Sequence, residues 1–278
     1  MKHHQTTVSM DSLKAHIINS AHVHNSGFIK EADIKQRLSA KVMVYALASL
    51  LVFQPLLVSA QTIVSGTTQT QQTIAKNGVP IINIATPSAQ GVSHNQFQQF
   101  NVEQQGLILN NAKATTDTQL GGFIEANPNL QASNTAKIII NEVTSPNRSQ
   151  LNGYTEVAGE AANVVIANPY GISCNGCGFI NTPRATLTTG LPVISNGTLT
   201  GLTVNGGDVQ IEGLGLNASN ISQFDIITRV ISLNADLHAK ELNIVLGTNE
   251  VDYSSLNVTN IQSDNKPEFA LDSTALGG

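Results

Sequence analysis

Thr198-Leu199-Thr200-Gly201-Leu202-Thr203-Val204-Asn205-Gly206-Gly207-Asp208-Val209-Gln210-Ile211 is the stretch that decides the fold. Two short runs of Leu, Val, Ile and Thr flank a Gly-Gly corner, the pattern of two strands meeting at a sharp bend. Residues 221–233 and 236–246 repeat that rhythm loosely. Working outward, short apolar runs closed by Asn, Gly, Asp or Pro recur at 80–84, 106–110, 137–141 and 163–168, and again at 224–228 and 242–247. No window after Gln61 carries a sustained helical period. A sandwich needs longer alternating strands joined by hairpins. Short strands with Asn or Gly corners fit a solenoid of roughly 20 residues per coil instead. The expectation is an all-β, single-stranded β-solenoid whose inward Leu, Val and Ile stack coil on coil and whose ends need caps.

Composition agrees. Of 278 residues, 41% are hydrophobic and only 12% charged, about half the usual charged share. Ala, Leu, Glu and Lys would dominate a helical bundle; here β-branched residues and turn formers do. Aromatics are 4% and Trp is absent, which a core of stacked aliphatic rows permits. The net charge of −5 makes no electrostatic case for nucleic acid. Six of the 14 Lys and Arg, but three of the 19 Asp and Glu, precede Gln61, so the remainder is more acidic still.

The first sixty residues read differently. Lys30, Lys35, Arg37 and Lys41 precede an apolar run from Val42 to Phe53, then Gln54-Pro55 and Leu56-Leu57-Val58. Val58-Ser59-Ala60 places small or compact residues at a small-x-small exit. This is the pattern of a secretory signal peptide cleaved between Ala60 and Gln61. The apolar core is shorter than the roughly 20 residues of a membrane span, so a retained anchor is the lesser reading. Met1 to Ile29 lengthen the leader and hold His3, His4, His16, His22 and His24, whose spacings fit no tight metal-ligand set. The expected organisation is a signal at 1–60, one β-domain at 61–263, and a polar tail or the start of further repeats at 264–278.

Two Asn-Pro turns carry the functional signal. Asn127-Pro128-Asn129-Leu130 follows Gly121-Gly122-Phe123-Ile124-Glu125-Ala126, and Asn168-Pro169-Tyr170-Gly171-Ile172 follows Asn163-Val164-Val165-Ile166-Ala167. Proline fixes φ at the second turn position, asparagine can cap its own backbone two residues on, and Gly171 can take positive φ. With these go Gly91-Val92-Ser93-His94-Asn95-Gln96-Phe97 and Ile172-Ser173-Cys174-Asn175-Gly176-Cys177-Gly178-Phe179. Together they resemble the two-partner secretion domain, or haemagglutination activity domain. That domain begins filamentous haemagglutinins, secreted haemolysins and contact-dependent growth-inhibition effectors.

The resemblance implies a right-handed parallel β-helix with an N-terminal cap. It also implies general secretion machinery at the inner membrane and a cognate outer-membrane β-barrel transporter with periplasmic binding domains. The product is a secreted or surface protein, an adhesin or toxin-delivery effector, which in some cases meets a target-cell receptor. Transporter recognition falls to Asn127, Pro128, Asn129 and Leu130 and to Asn168, Pro169, Tyr170, Gly171 and Ile172, with Tyr170 in the variable place. Any toxin activity belongs to the far C-terminus of a full-length effector.

The remaining chemistry-bearing residues are few. Cys174 and Cys177 are the only cysteines; in an exported chain a tight-loop disulfide is favoured, with free thiols and metal or redox chemistry as the other readings. His94 and His238 lack a nucleophile arrangement, and His94-Asn95 reads as a turn. Acidic residues are scattered singly, without the pairing of glycoside chemistry. No cofactor and no catalytic residue are implied. A direct cell- or glycan-binding adhesin module and a polysaccharide-degrading β-helix are the competing readings.

Overall fold

A computed structural model describes residues 62–64, 68–260 and 268–271. The chain divides into two units, Met1–Val58 and Ser59–Gly278, and every described residue belongs to the second. The proposed signal and its Ala60/Gln61 junction lie outside the described residues.

The architecture is a three-faced parallel stack. The first face holds Val92–Gln99, Ile138–Val143, Asn163–Ala167, Arg184–Thr188, Gln223–Thr228 and Leu242–Leu246. The second holds Pro80–Asn83, Leu107–Asn111, Tyr154–Gly159, Cys177–Ile180, Leu216–Ala218 and Leu237–Ala239. The third holds Ser149–Leu151, Ile172–Cys174, Asp208–Ile211, Val230–Leu233 and Glu268–Leu271. Val164 pairs in parallel with Ala185, and Phe224 with Leu242, so an uninterrupted coil takes roughly 20 residues. Glu268–Leu271, within the stretch read as a polar tail or the start of further repeats, pairs in parallel with Val230–Leu233.

Alternate residues point inward. Ile139, Val164, Ile166, Leu187, Phe224 and Ile226 of the first face meet Leu107, Val157 and Phe179 of the second and Leu151, Ile172, Val209 and Ile231 of the third in one core. Phe97 and Phe100 pack edge-on at 4.9 Å near its start. The upstream edge is closed by reversed strands: Ile63–Val64 runs antiparallel to Val92–Gln99, and Gln71–Ile74 antiparallel to Pro80–Asn83. These strands occupy the exposed ladder positions of the first coil and form its cap.

Two insertions depart from the solenoid expectation. The run Thr198–Val204 is not a coil strand. It belongs to an antiparallel sheet of Leu191–Ser195, Thr198–Val204, Asn249–Asp252 and Val258–Asn260. Its Leu199, Leu202, Val204, Val251 and Tyr253 cover Ile140, Val165, Ala167 and Ile227 on the outer side of the first face. Asn163–Ala167 is therefore buried on both sides, which is why it reads as a continuous apolar run. Gly206-Gly207 is where the chain re-enters the stack. The second insertion is a hairpin, Thr116–Thr118 with Gly122–Ile124. Ile124 and Leu120 cover Ile81, Ile108 and Ala158 of the second face.

His94-Asn95 is also not a turn but lies inside Val92–Gln99. The Asn95 amide is consumed inside the cap. Its Oδ1 accepts from the Ala85 amide and the Thr70 hydroxyl, both at 2.8 Å, and its Nδ2 donates to the Ile140 carbonyl at 3.1 Å. A polar residue so satisfied can occupy a buried strand position.

A core of this kind is sensitive to truncation. Ile166→Ala removes a fully buried side chain and should cost about 2–5 kcal/mol in urea unfolding. Ile74→Ala, at a position 69% exposed, should stay within about 0.5 kcal/mol of wild type.

Candidate functional site

The two Asn-Pro turns are built alike. In the first, Asn127 caps a single 3-10 turn, Pro128–Leu130. Its Oδ1 accepts the Asn129 amide at 2.9 Å, and the Leu130 amide closes the turn on the Asn127 carbonyl at 3.1 Å. In the second, Asn168 Oδ1 accepts the Tyr170 amide at 2.9 Å, and the Gly171 amide closes on the Asn168 carbonyl at 3.1 Å. Proline at the second position presets φ in both, and it has no amide to leave unpaired.

Each asparagine is fully buried and reaches back into the stack. Asn127 Nδ2 donates to the Asn110 carbonyl at 2.8 Å and the Ile84 carbonyl at 3.0 Å. Asn168 Nδ2 donates to the Asn147 carbonyl at 2.8 Å and the Ser149 hydroxyl at 2.9 Å. Leu130 and Ile172 are buried beside them, and Asn129 bonds the Gln69 and Ile84 carbonyls at 3.0 Å each. What faces outward is Pro128 and, 46% exposed, Tyr170. The asparagines thus set the shape of the turns, and Pro128 and Tyr170 are what the turns leave exposed.

The turns stand at different corners. The first lies between Gly122–Ile124 and the first-face strand Ile138–Val143; the second links the first face to Ile172–Cys174 of the third. Their hydrogen bonds share no residue. Pro128 borders a groove of about 640 Å³ whose rim includes Ile74 and Phe123, 69% and 72% exposed.

Arg148 and Asp208 were not foreseen. Arg148 Nη1 and Nη2 donate to Asp208 Oδ1 and Oδ2 at 2.9 and 2.8 Å, Nε donates to the Ser173 hydroxyl at 2.7 Å, and Nη2 also reaches the Ile172 carbonyl at 3.0 Å. Gly171 sits directly over this guanidinium at φ +107°: a Cβ there would lie 2.4 Å from Arg148 Nη1. The one sequence signal was an arginine immediately before Ser149 in a region sparse in cations.

Cys174 and Cys177 are joined as a disulfide, Cα–Cα 5.4 Å, across the corner from the third face to the second. Gly176 turns that corner at φ +86°. So short a loop constrains little unfolded-state freedom, about 1–3 kcal/mol on the chain-entropy account. Among the described residues no three His, Cys, Asp or Glu side chains are grouped to hold a metal.

The model of one protein family, the TPS secretion domain, matches residues 60–278. The chain belongs to the TPS secretion domain family. It is 51% identical over 245 residues to a protein named "16S rRNA endonuclease CdiA" from Enterobacter cloacae subsp. cloacae, covering 87% of this chain and 7% of that one. It is 48% identical over 245 residues to "tRNA nuclease CdiA" from Escherichia coli strain STEC_O31, covering 87% of this chain and 8% of that one. The chain therefore spans less than a tenth of the length of these relatives, and their nuclease names are said of the whole proteins. Among solved structures, "Crystal structure of filamentous hemagglutinin secretion domain" superposes with a TM-score of 0.70 at 36% identity, over 76% of this chain and 73% of that one. This TPS secretion domain is thus a β-helix of the filamentous haemagglutinin kind, akin to one segment of the CdiA proteins.

The hydrogen-bonded Arg148 guanidinium beside Asp208 holds the Asp208 carboxyl below its ordinary value of 3.8. A depressed carboxylate stabilises the fold above its unfolded pKa and loses that contribution as pH falls through the folded one. The stability gap between wild type and Asp208→Asn should therefore be full at pH 6 and shrink as pH falls below about 4, read from urea midpoints across a pH series.

Proposed function

We propose that the domain presents its two turns to a cognate outer-membrane β-barrel transporter, through that transporter's periplasmic binding domains. Export delivers the protein to the cell surface or the medium. The observation that carries this reading is the shared construction of the turns: a buried asparagine holds each one, while Pro128 and Tyr170 face outward. Asn127, Pro128, Asn129, Leu130, Asn168, Pro169, Tyr170, Gly171 and Ile172 make up the recognition feature, the buried members by fixing its shape. The domain itself performs no catalysis; a nuclease or other toxin activity, and any target-cell receptor, belong to the longer protein it begins.

Residues 1–60 serve as the extended signal, removed between Ala60 and Gln61. The basic, apolar and small-residue order supports this, as does a family match that begins at residue 60. Residues 61–263 form the secretion domain, and 264–278 are a polar tail or the start of further repeats, the latter favoured by a family match that runs to 278 and by the pairing of Glu268–Leu271 with Val230–Leu233. Outside the cell the capped first coils fold first and template those that follow, since a solenoid can nucleate at one end and propagate.

Co-expression of the full chain with its transporter tests this reading. Asn127→Ala and Asn168→Ala each remove three side-chain hydrogen bonds, and each should lower the exported amount about ten-fold or more. Export of both at the wild-type level removes the turns from the recognition role.

A further inference from the structure

The second turn differs from the first in what lies under it. Beneath Asn127–Leu130 there are backbone carbonyls; beneath Gly171 there is a charged fork. All three nitrogens of the Arg148 guanidinium are engaged, two by the Asp208 carboxylate and two by the turn's exit strand, Nη2 serving both. The Ser149 amide then donates to the Gly171 carbonyl at 3.1 Å, so residues 148 and 149 grip both sides of the corner. Asp208 comes from the next coil, beyond the inserted strands 191–204. Its neighbour Gly207 takes φ +73°, and a Cβ there would lie 2.7 Å from the Pro169 carbonyl oxygen. The turn is therefore bounded by the coil before it and the coil after it.

We propose that Arg148 and Asp208 are positioning residues for the second turn. Resting on the reading of that turn as an export determinant, the pair fixes the direction in which Pro169 and Tyr170 face outward. A planar five-donor fork is needed for this. A lysine ammonium is a point charge on a flexible stem and cannot hold a carboxylate edge, a hydroxyl and a carbonyl together. Glycine at 171 is the counterpart of the same arrangement, because a side chain there occupies the guanidinium's place.

The test uses the full chain with its transporter, comparing Arg148→Lys, Asp208→Asn and Asp208→Glu with Asn168→Ala. A core variant, Ile226→Ala or Ile226→Val, is chosen to match the urea midpoint of Arg148→Lys. Arg148→Lys and Asp208→Asn should export about ten-fold less than that stability-matched control, while Asp208→Glu, which keeps a carboxylate, should recover most of the loss. In the refolded chain, hydrogen exchange at the Gly171 amide should quicken in Arg148→Lys with Val164 and Ile139 unchanged, a local effect that general destabilisation does not produce. Equal export by Arg148→Lys and its matched control, with Asn168→Ala still defective, overturns the positioning role alone. Wild-type export by Asn168→Ala overturns the turn's role and this inference with it.

Discussion

Each coil of this stack can bury its apolar row only against the coil before and the coil after. Within a coil, side chains such as Val164, Ile166, Ile172 and Phe179 meet across the three faces, but adjacent coils must close the core above and below. Burial of one such side chain is worth about 1.5–3 kcal/mol, and it is collected only when adjacent coils are in register. The constraint explains the cap. Upstream, the strands that seal the first coil run backward, so the parallel ladder stops where the cap begins.

Stacking solves the faces and leaves the corners. At a corner the chain leaves the ladder, and its amides and carbonyls lose their repeating partners; in a buried setting each must find another. Asparagine supplies them. Asn110 Nδ2 donates to Asn83 Oδ1 and to the Glu125 carbonyl; Asn111 Nδ2 donates to the Ala136 and Glu160 carbonyls; Asn181 reaches the Val157 and Gly159 carbonyls. Asn127 and Asn168 belong to this series, distinguished by the proline that follows each. The recognition feature proposed above is thus a specialised corner of the fold rather than a feature added to it. That is why both asparagines, like Leu130 and Ile172, are fully buried.

The sequence made the stack legible where local pattern and environment agree. Runs such as 163–168 and 242–247 are strands because β-branched residues suit a pleated surface buried on one or both sides. Asn-Pro turns are recognisable because proline and asparagine impose their geometry within four residues. The antiparallel insertion was hidden for the complementary reason. Thr198–Val204 carries the same short apolar run as a coil strand, and a run of seven residues says nothing of which partner lies beside it or in which direction. Asn95 misled because its turn-forming amide is used by Ala85, Thr70 and Ile140, distant in sequence. Arg148 and Asp208 were invisible for the same reason, their pairing being made only by the coil.

The two turns, though built alike, are completed by different parts of the chain. Outside the turn itself, the hydrogen-bond partners of Asn127 and Asn129 among the described residues precede them: the carbonyls of Gln69, Ile84, Asn110 and Ala112, and the Thr86 hydroxyl. Asn168 takes Asn147 and Ser149 from upstream, but its own amide donates to the Thr188 carbonyl, and the arginine under Gly171 is held by Asp208. A chain acquiring structure from its capped end can therefore finish the first turn from residues already in place. The second waits for a coil that comes later. If folding starts at the cap as proposed, the same four-residue geometry is completed at two stages, one set by the cap and one by the stack having begun to grow.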